Sequence, residues 1–300
     1  MKVFLTGATG VVGSRALPAL VAAGHDVTAV ARSDDKAARV KAAGARPVAV
    51  DLFDPIAVKA AVLGHDAVVN LATHIPDLAK SARSKAWAEN DRLRTDGARH
   101  LVDAAQAAGA GRFVQESICF PYRDGGADWL DEDAPVDHEF GPFSGAAAAE
   151  ASARRFSGDG GTGVVLRFAQ FYAPEASHTL AFNRLLRRRI NPFVGAPEAY
   201  MSSIHAEDAG SAVAAALTAP SGTFNIGDDE PLTRRQAGLA AAEALGKGRP
   251  VGMPGVLRAL APRSAKELMK SLRVSNARFR AATGWAPAHP TLRWSWPVTA

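Results

Sequence analysis

Short β-branched runs alternate with longer alanine-rich stretches of helical period through the first half of the chain. Runs at 3–5, 27–30, 47–50, 67–71, 112–116 and 164–167 read as strands, and 11–23, 34–43, 55–63, 85–108 and 144–156 read as helices between or beside them. That order predicts βαβ units and a doubly wound parallel α/β sheet with helices on both faces. After Arg167 the alternation breaks into Phe171-Tyr172-Ala173-Pro174, a helix ending in Arg187-Arg188-Arg189, and loops rich in Gly and Pro. One further strand, 222–226, returns with the earlier character. The expected organisation is therefore a sheet domain over 1–170 with a return segment at about 204–230. A smaller C-terminal substrate lobe is expected from 171–203 and 231–300. There is no internal repeat and no low-complexity linker.

Composition narrows the class. In 300 residues, 47% are hydrophobic and 22% charged, which excludes disorder, collagen, coiled coil and disulfide scaffold. Cys119 is the one cysteine, so no intrachain bridge forms, in keeping with a reducing cytoplasm. Met1 runs straight into a strand that meets a glycine loop by Gly7, which leaves no room for a targeting segment. The longest uncharged run, 209–227, is interrupted by Pro220 and Ser221-Gly222 and cannot span a bilayer. A soluble, cytoplasmic chain without a membrane partner is expected. The net charge of +5 comes from scattered Lys and Arg rather than a basic stripe interleaved with aromatics. That pattern argues against nucleic acid and admits a phosphorylated small molecule. A homodimer is compatible with it.

The first strand enters Thr6-Gly7-Ala8-Thr9-Gly10-Val11-Val12-Gly13 and leaves as a helix. Glycine is needed there for a tight turn, for backbone N–H groups to approach a pyrophosphate, and for close helix packing, with the helix N-terminus facing the phosphate charge. Gly7, Thr9, Gly10, Val11, Val12 and Gly13 are thus candidate dinucleotide contacts in a Rossmann domain. The second strand ends in Ala31, Arg32 and Ser33 instead of the acid that would take the ribose hydroxyls of NAD. A guanidinium suits a 2′-phosphate, so NADP is favoured over NAD, with Arg32 and Ser33 as contacts and Arg15 close enough to help. The alternative is that Arg32 is a solvated loop charge.

Over nearly its whole length the chain resembles the extended and atypical short-chain dehydrogenase/reductases of the NAD-dependent epimerase/dehydratase group. The blocks that carry the resemblance are the glycine loop, Asp51-Leu52, Asn70-Leu71-Ala72, Asp96-Gly97, Asp103-Ala104-Ala105, Leu166-Arg167 and Phe171-Tyr172-Ala173-Pro174. Further along come Ile204-His205-Ala206-Glu207-Asp208, Phe224-Asn225-Ile226-Gly227, Arg273-Val274-Ser275-Asn276 and Gly284-Trp285-Ala286-Pro287. The resemblance implies adenine contact by Asp51 and Leu52 and passage of the nicotinamide near Leu71, Ala72 and Thr73. It also implies that 205–208 closes the lobe against the sheet, where Asp208 reads as the N-cap of a helix from Ala209 onward.

Chemistry in that group normally needs a Tyr with a Lys four residues on, the ammonium lowering the phenol pKa. Tyr122, Tyr172 and Tyr200 are followed at the fourth position by Gly126, Ala176 and Ile204, so the pair is missing. Alignment on Glu150 puts Pro142 and Ala146 in the Tyr and Lys places. The group's serine falls at Ile118, with Ser117 beside it, either a substrate donor or a strand-end serine satisfied by backbone.

Three residues could replace the missing acid. Tyr122, just past the fifth strand, reads as a proton donor or as an aromatic wall. His74 reads as a titrating group or a solvated one. Glu116 reads as turned to the crevice or as paired. Cys119 reads as a small buried thiol. With no H-x-x-x-H and no cysteine cluster, no metal site is expected. Arg184, Arg187, Arg188 and Arg189 either hold an anionic substrate or form a solvated helix end. Trp285, Trp294 and Trp296 are expected to pack the lobe. The expected function is an NADP(H)-dependent oxidoreductase reducing a small carbonyl, imine or enone. A cofactor-retaining isomerase, epimerase or lyase, or an NADP-binding sensor without turnover, is the alternative.

Overall fold

In the computed structural model, residues 1–76, 84–137, 141–261 and 263–298 are described. Seven parallel strands form the main sheet: β1 (Lys2–Thr6), β2 (Asp26–Val30), β3 (Arg46–Val48), β4 (Ala67–Asn70), β5 (Arg112–Ile118), β6 (Thr162–Phe168) and β7 (Gly222–Ile226). Their spatial order is β3-β2-β1-β4-β5-β6-β7. The order reverses between β1 and β4, which opens a crevice at their carboxyl ends.

Strand periodicity explains how one sheet carries two cores. Val3 and Leu5 face one side with Val27, Val69 and Leu166, beneath α1 (Gly13–Ala22) and α8 (Ala206–Ala215). Phe4, Val68 and Phe113 face the other, beneath α3 (Pro55–Val62), α5 (Ala98–Ala107) and α6 (Gly141–Gly158). Alternate side chains point to opposite faces, and both faces are apolar because both are covered.

The helix expected over 85–108 is broken. A 3₁₀ turn (Ser84–Trp87) leads into α4 (Ala88–Arg92), then a π-helical turn (Leu93–Gly97), then α5. The wide turn brings Arg94 inward to meet Glu116 on β5, and such π-turns frequently accompany functional sites.

The remaining elements include α2 (Asp34–Ala42), α7 (Ser177–Arg187) and α9 (Arg234–Ala244). A third apolar core gathers Tyr172, Leu186, Phe193, Met201, Leu232, Ala241 and Trp296. Trp296 packs in this third core, Trp294 is exposed, and Trp285 packs in the core beneath α1 and α8. Trp285 meets Phe279 and donates its indole N–H to Ser211 Oγ of α8 at 2.9 Å, which draws the segment around 272–285 back to the sheet. Among the described residues no helix is long and apolar enough to cross a membrane.

Candidate active site

The glycine loop is built as a close-contact cradle. Gly7 sits at φ +70°, and a Cβ there would lie 2.3 Å from the carbonyl oxygen of Leu71. A Cβ on Gly13 would lie 2.0 Å from the carbonyl oxygen of Gly7. Both positions therefore exclude any side chain, and they press the loop against the end of β4 at Leu71 and Ala72. The Gly10 N–H donates to Gly7 O at 3.0 Å, which shapes the turn that delivers α1. Val11 rests against Ala173, Ala176 and Ala206, so the loop also packs against the segment after β6 and the start of α8.

A polar ladder fixes the strand ends around this cradle. Thr6 Oγ1 donates to Asn70 Oδ1 at 2.6 Å, Asn70 Nδ2 donates to Gln115 Oε1 at 2.9 Å, and Gln115 Nε2 donates to Glu116 O at 2.8 Å. The Ala72 N–H donates back to Asn70 Oδ1 at 3.2 Å, holding Leu71 and Ala72 in place. Thr73 and His74 follow in the open.

The other candidate cofactor contacts lie where a dinucleotide would extend. Arg32 is exposed and makes no hydrogen bond or ion pair with another described residue. Ser33 is the N-cap of α2, accepting from the Lys36 N–H. Asp51 is exposed, its carboxylate turned onto the Phe53 N–H at 2.9 Å, and Leu52 is buried beside it. Arg15 is engaged, its Nη1 lying 2.5 Å from Glu175 Oε1 and 2.7 Å from Ser14 Oγ. The residues present thus fit a dinucleotide: a side-chain-free cradle for the pyrophosphate and a free guanidinium beyond the second strand.

Three of the four acid/base candidates are placed in the interior. Tyr122 has no exposed surface; its hydroxyl donates to Asn225 Oδ1 at 2.8 Å and accepts from Arg167 Nη1 at 2.8 Å. Burial pushes this phenol up to about 12, against the opposing pull of Arg167. Ser117 is fully buried and donates to Glu150 Oε1 at 2.7 Å. Glu116 is paired with Arg94, whose Nη2 lies 2.7 and 2.8 Å from its two oxygens; burial raises its pKa and Arg94 opposes the rise. Glu150 and Arg167, bonded to each other, draw Ser117 and Tyr122 inward, and Arg94 does the same for Glu116. His74 is the exposed member of the set, with Nδ1 3.8 Å from Glu89 Oε2 and its backbone N–H on Asn90 Oδ1.

Other expectations sort plainly. Cys119 is 1% exposed and burial pushes its thiol up to about 12, so it is the inert buried thiol. Asp208 is not an N-cap, because α8 starts earlier, at Ala206 with His205 as cap. Its carboxylate instead accepts the N–H groups of Ala288 and His289 at 2.8 Å each. The Arg184 to Arg189 group lies at the C-terminal end of α7, where its members are exposed.

Sheet order, cradle and crevice together define a dinucleotide-binding α/β enzyme. A family model described as NAD(P)H-binding matches residues 7–158. The chain belongs to that NAD(P)H-binding family, and with its reductase relatives it is an NAD(P)-dependent oxidoreductase. It is 35% identical to a 3-diazoavenalumate denitrifying reductase from a Streptomyces species, over 98% of both chains. It is 33% identical to a 4-hydroxy-2-methyl-3-oxo-4-farnesyl-3,4-dihydroquinoline-1-oxide ketoreductase from Stigmatella aurantiaca, over 56% of this chain and 49% of that one. In fold it is similar to a human epimerase family protein solved with NADPH, with a TM-score of 0.80 and 24% identity over 98% of this chain and 97% of that one. A Thermotoga maritima UDP-glucose 4-epimerase solved with UDP-glucose gives a TM-score of 0.77 at 21% identity, over 96% and 94% of the two chains.

Proposed function

We propose that this enzyme is an NADPH-dependent reductase acting on a small organic acid that carries a diazo or diazonium group. The observation that supports this most is the loss of a protein acid at the reaction centre: Tyr122, Ser117 and Glu116 are buried, bonded to Arg167 and Asn225, Glu150 and Arg94 respectively, and no Tyr-x-x-x-Lys occurs. When bound, the reduced nicotinamide supplies hydride, and a diazonium acceptor can leave nitrogen as N2 and keep the hydrogen without taking a proton from the protein. The relative that matches over almost the full length is named for a diazo substrate and a denitrifying reduction.

The chain's own residues then bind and orient. Gly7, Thr9, Gly10, Val11, Val12 and Gly13 carry the pyrophosphate, and Arg32 with Ser33 takes the 2′-phosphate. Asp51 and Leu52 border the adenine, while Leu71, Ala72 and Thr73 border the nicotinamide half. His74, exposed at the end of β4, is the group that could exchange a proton if the acceptor were a carbonyl, imine or enone.

The test is NADPH consumption with a matched pair of substrates, a diazo-bearing aromatic acid and the corresponding aldehyde acid. Consumption of NADPH matched one to one by released N2, with little turnover of the aldehyde, supports the proposal. Turnover of the aldehyde alone, or conversion of either substrate with no net change in cofactor, refutes it.

A further inference from the structure

Outside the cofactor crevice, the fold brings together two histidines that lie far apart in the chain. His205 is the N-cap of α8 and His289 sits in the C-terminal segment, and their rings lie 3.9 Å apart, centroid to centroid, tilted by 33°. Glu207 Oε2 reaches both, at 4.0 Å from His205 Nδ1 and 3.8 Å from His289 Nε2. One donor atom from each of the three lies within 4.8 Å of the other two.

We infer that His205, Glu207 and His289 form a site for a divalent transition metal of the zinc class, clamping the C-terminal segment to the head of α8. Nothing in this inference depends on the substrate or the cofactor.

The donor set and its support both carry it. Two imidazoles and a carboxylate match the three protein ligands that zinc takes with a water as the fourth. The preparation of His289 is specific: its Nδ1–H donates to Asp208 Oδ2 at 3.0 Å, which leaves the Nε2 lone pair facing Glu207. Asp208 is 2% exposed and its carboxylate also accepts the N–H groups of residues 288 and 289, so ring and backbone are held by one buried carboxylate. A carboxylate behind a ligating histidine is the arrangement that sets the tautomer at metal sites.

His205 Nδ1 takes the Glu207 N–H at a long 3.4 Å, a contact that a metal on that lone pair would replace. Ligand atoms around a tetrahedral zinc are about 3.4 Å apart, so the two Glu207 spacings must contract by about half an ångström and the histidine pair by up to about 1.4 Å. Glu207, whose side chain is 64% exposed, can take up its share of that motion.

The experiment uses the full-length, tag-free protein stripped with a chelator, titrated with Zn2+ by calorimetry and with Co2+ by visible absorption. One equivalent of Zn2+ should bind with a Kd of about 1 μM or tighter, Co2+ should give the intense bands of a tetrahedral site, and the unfolding midpoint should rise with metal. His289→Ala should weaken Zn2+ binding at least about tenfold, and Glu207→Gln, at an exposed side chain that leaves folding intact, should do likewise. No saturable binding below about 100 μM, or binding that both substitutions leave unchanged, overturns the inference.

Discussion

Arg167 of β6 closes a double hydrogen bond on Glu150 of α6, Nε to Oε1 and Nη2 to Oε2 at 2.8 Å each, with both side chains buried. The same carboxylate accepts from Ser117, and the same guanidinium reaches the Tyr122 hydroxyl. This pair takes Ser117 and Tyr122 out of the crevice. Breaking it by removing one partner leaves the other charge buried and uncompensated. Glu150→Ala is expected to cost about 3–5 kcal/mol, read from urea unfolding; a loss below about 1 kcal/mol would show that the pair is not holding the interior.

Tyr122→Phe separates structure from chemistry. Removing the hydroxyl takes the partner of Asn225 Oδ1 and leaves Arg167 Nη1 only its 3.4 Å bond to Glu132 O, and about 1–3 kcal/mol of stability should be lost. Turnover at a temperature where the variant is folded should stay within about threefold of the parent. A fall of about a hundredfold or more, the size expected of a lost proton donor, would return Tyr122 to the reaction.

Nucleotide preference should rest on one guanidinium. Arg15 is held by Glu175, so Arg32 is the basic group left for a 2′-phosphate. Arg32→Asp should weaken NADPH by about tenfold to a hundredfold in calorimetry and leave NADH within about threefold. An unchanged ratio would place the 2′-phosphate elsewhere.

Asp228 should give stability a slope with pH. It is 1% exposed, accepts from Ser203 Oγ at 2.7 Å, and its Oδ1 has no hydrogen-bond partner among the described residues. Burial first, with Asp208 and Asp229 adding to it, holds its pKa well above the free value of 3.8, against the opposing bonds of Ser203 and Tyr172. A carboxyl raised on folding contributes its full stability below the unfolded value and loses it as pH climbs toward the folded one. Asp228→Asn removes that loss. Its melting temperature should therefore gain on the parent as pH goes from about 5 to about 8, and a constant difference would mean that Asp228 is ionised in the fold.

The strand–helix alternation and the glycine loop were legible because each is local. Val3 and Leu5 flank Phe4 in one short run, and Gly7, Gly10 and Gly13 stand within one turn of chain. What escaped the sequence depends on distant partners. Nothing near Arg94 announces that Glu116 will receive it, or that a π-turn will interrupt the helical stretch and bring the two together. Tyr122 stands after β5, as expected, but the chain turns beneath the sheet, where Arg167 and Asn225 close on its hydroxyl. Asp208 looked like a cap because it precedes an alanine-rich helix, yet its partners are the backbone and ring of His289.

The most direct measurement follows deuterium from the reduced nicotinamide. With NADPH carrying deuterium at the transferable C4 position, in ordinary water, turnover of the diazo-bearing acid should place one deuterium at the carbon that lost nitrogen, with one N2 released per NADPH oxidised. Product in which that hydrogen comes from water, or conversion with the label still on the nucleotide, would contradict hydride reduction without a protein acid.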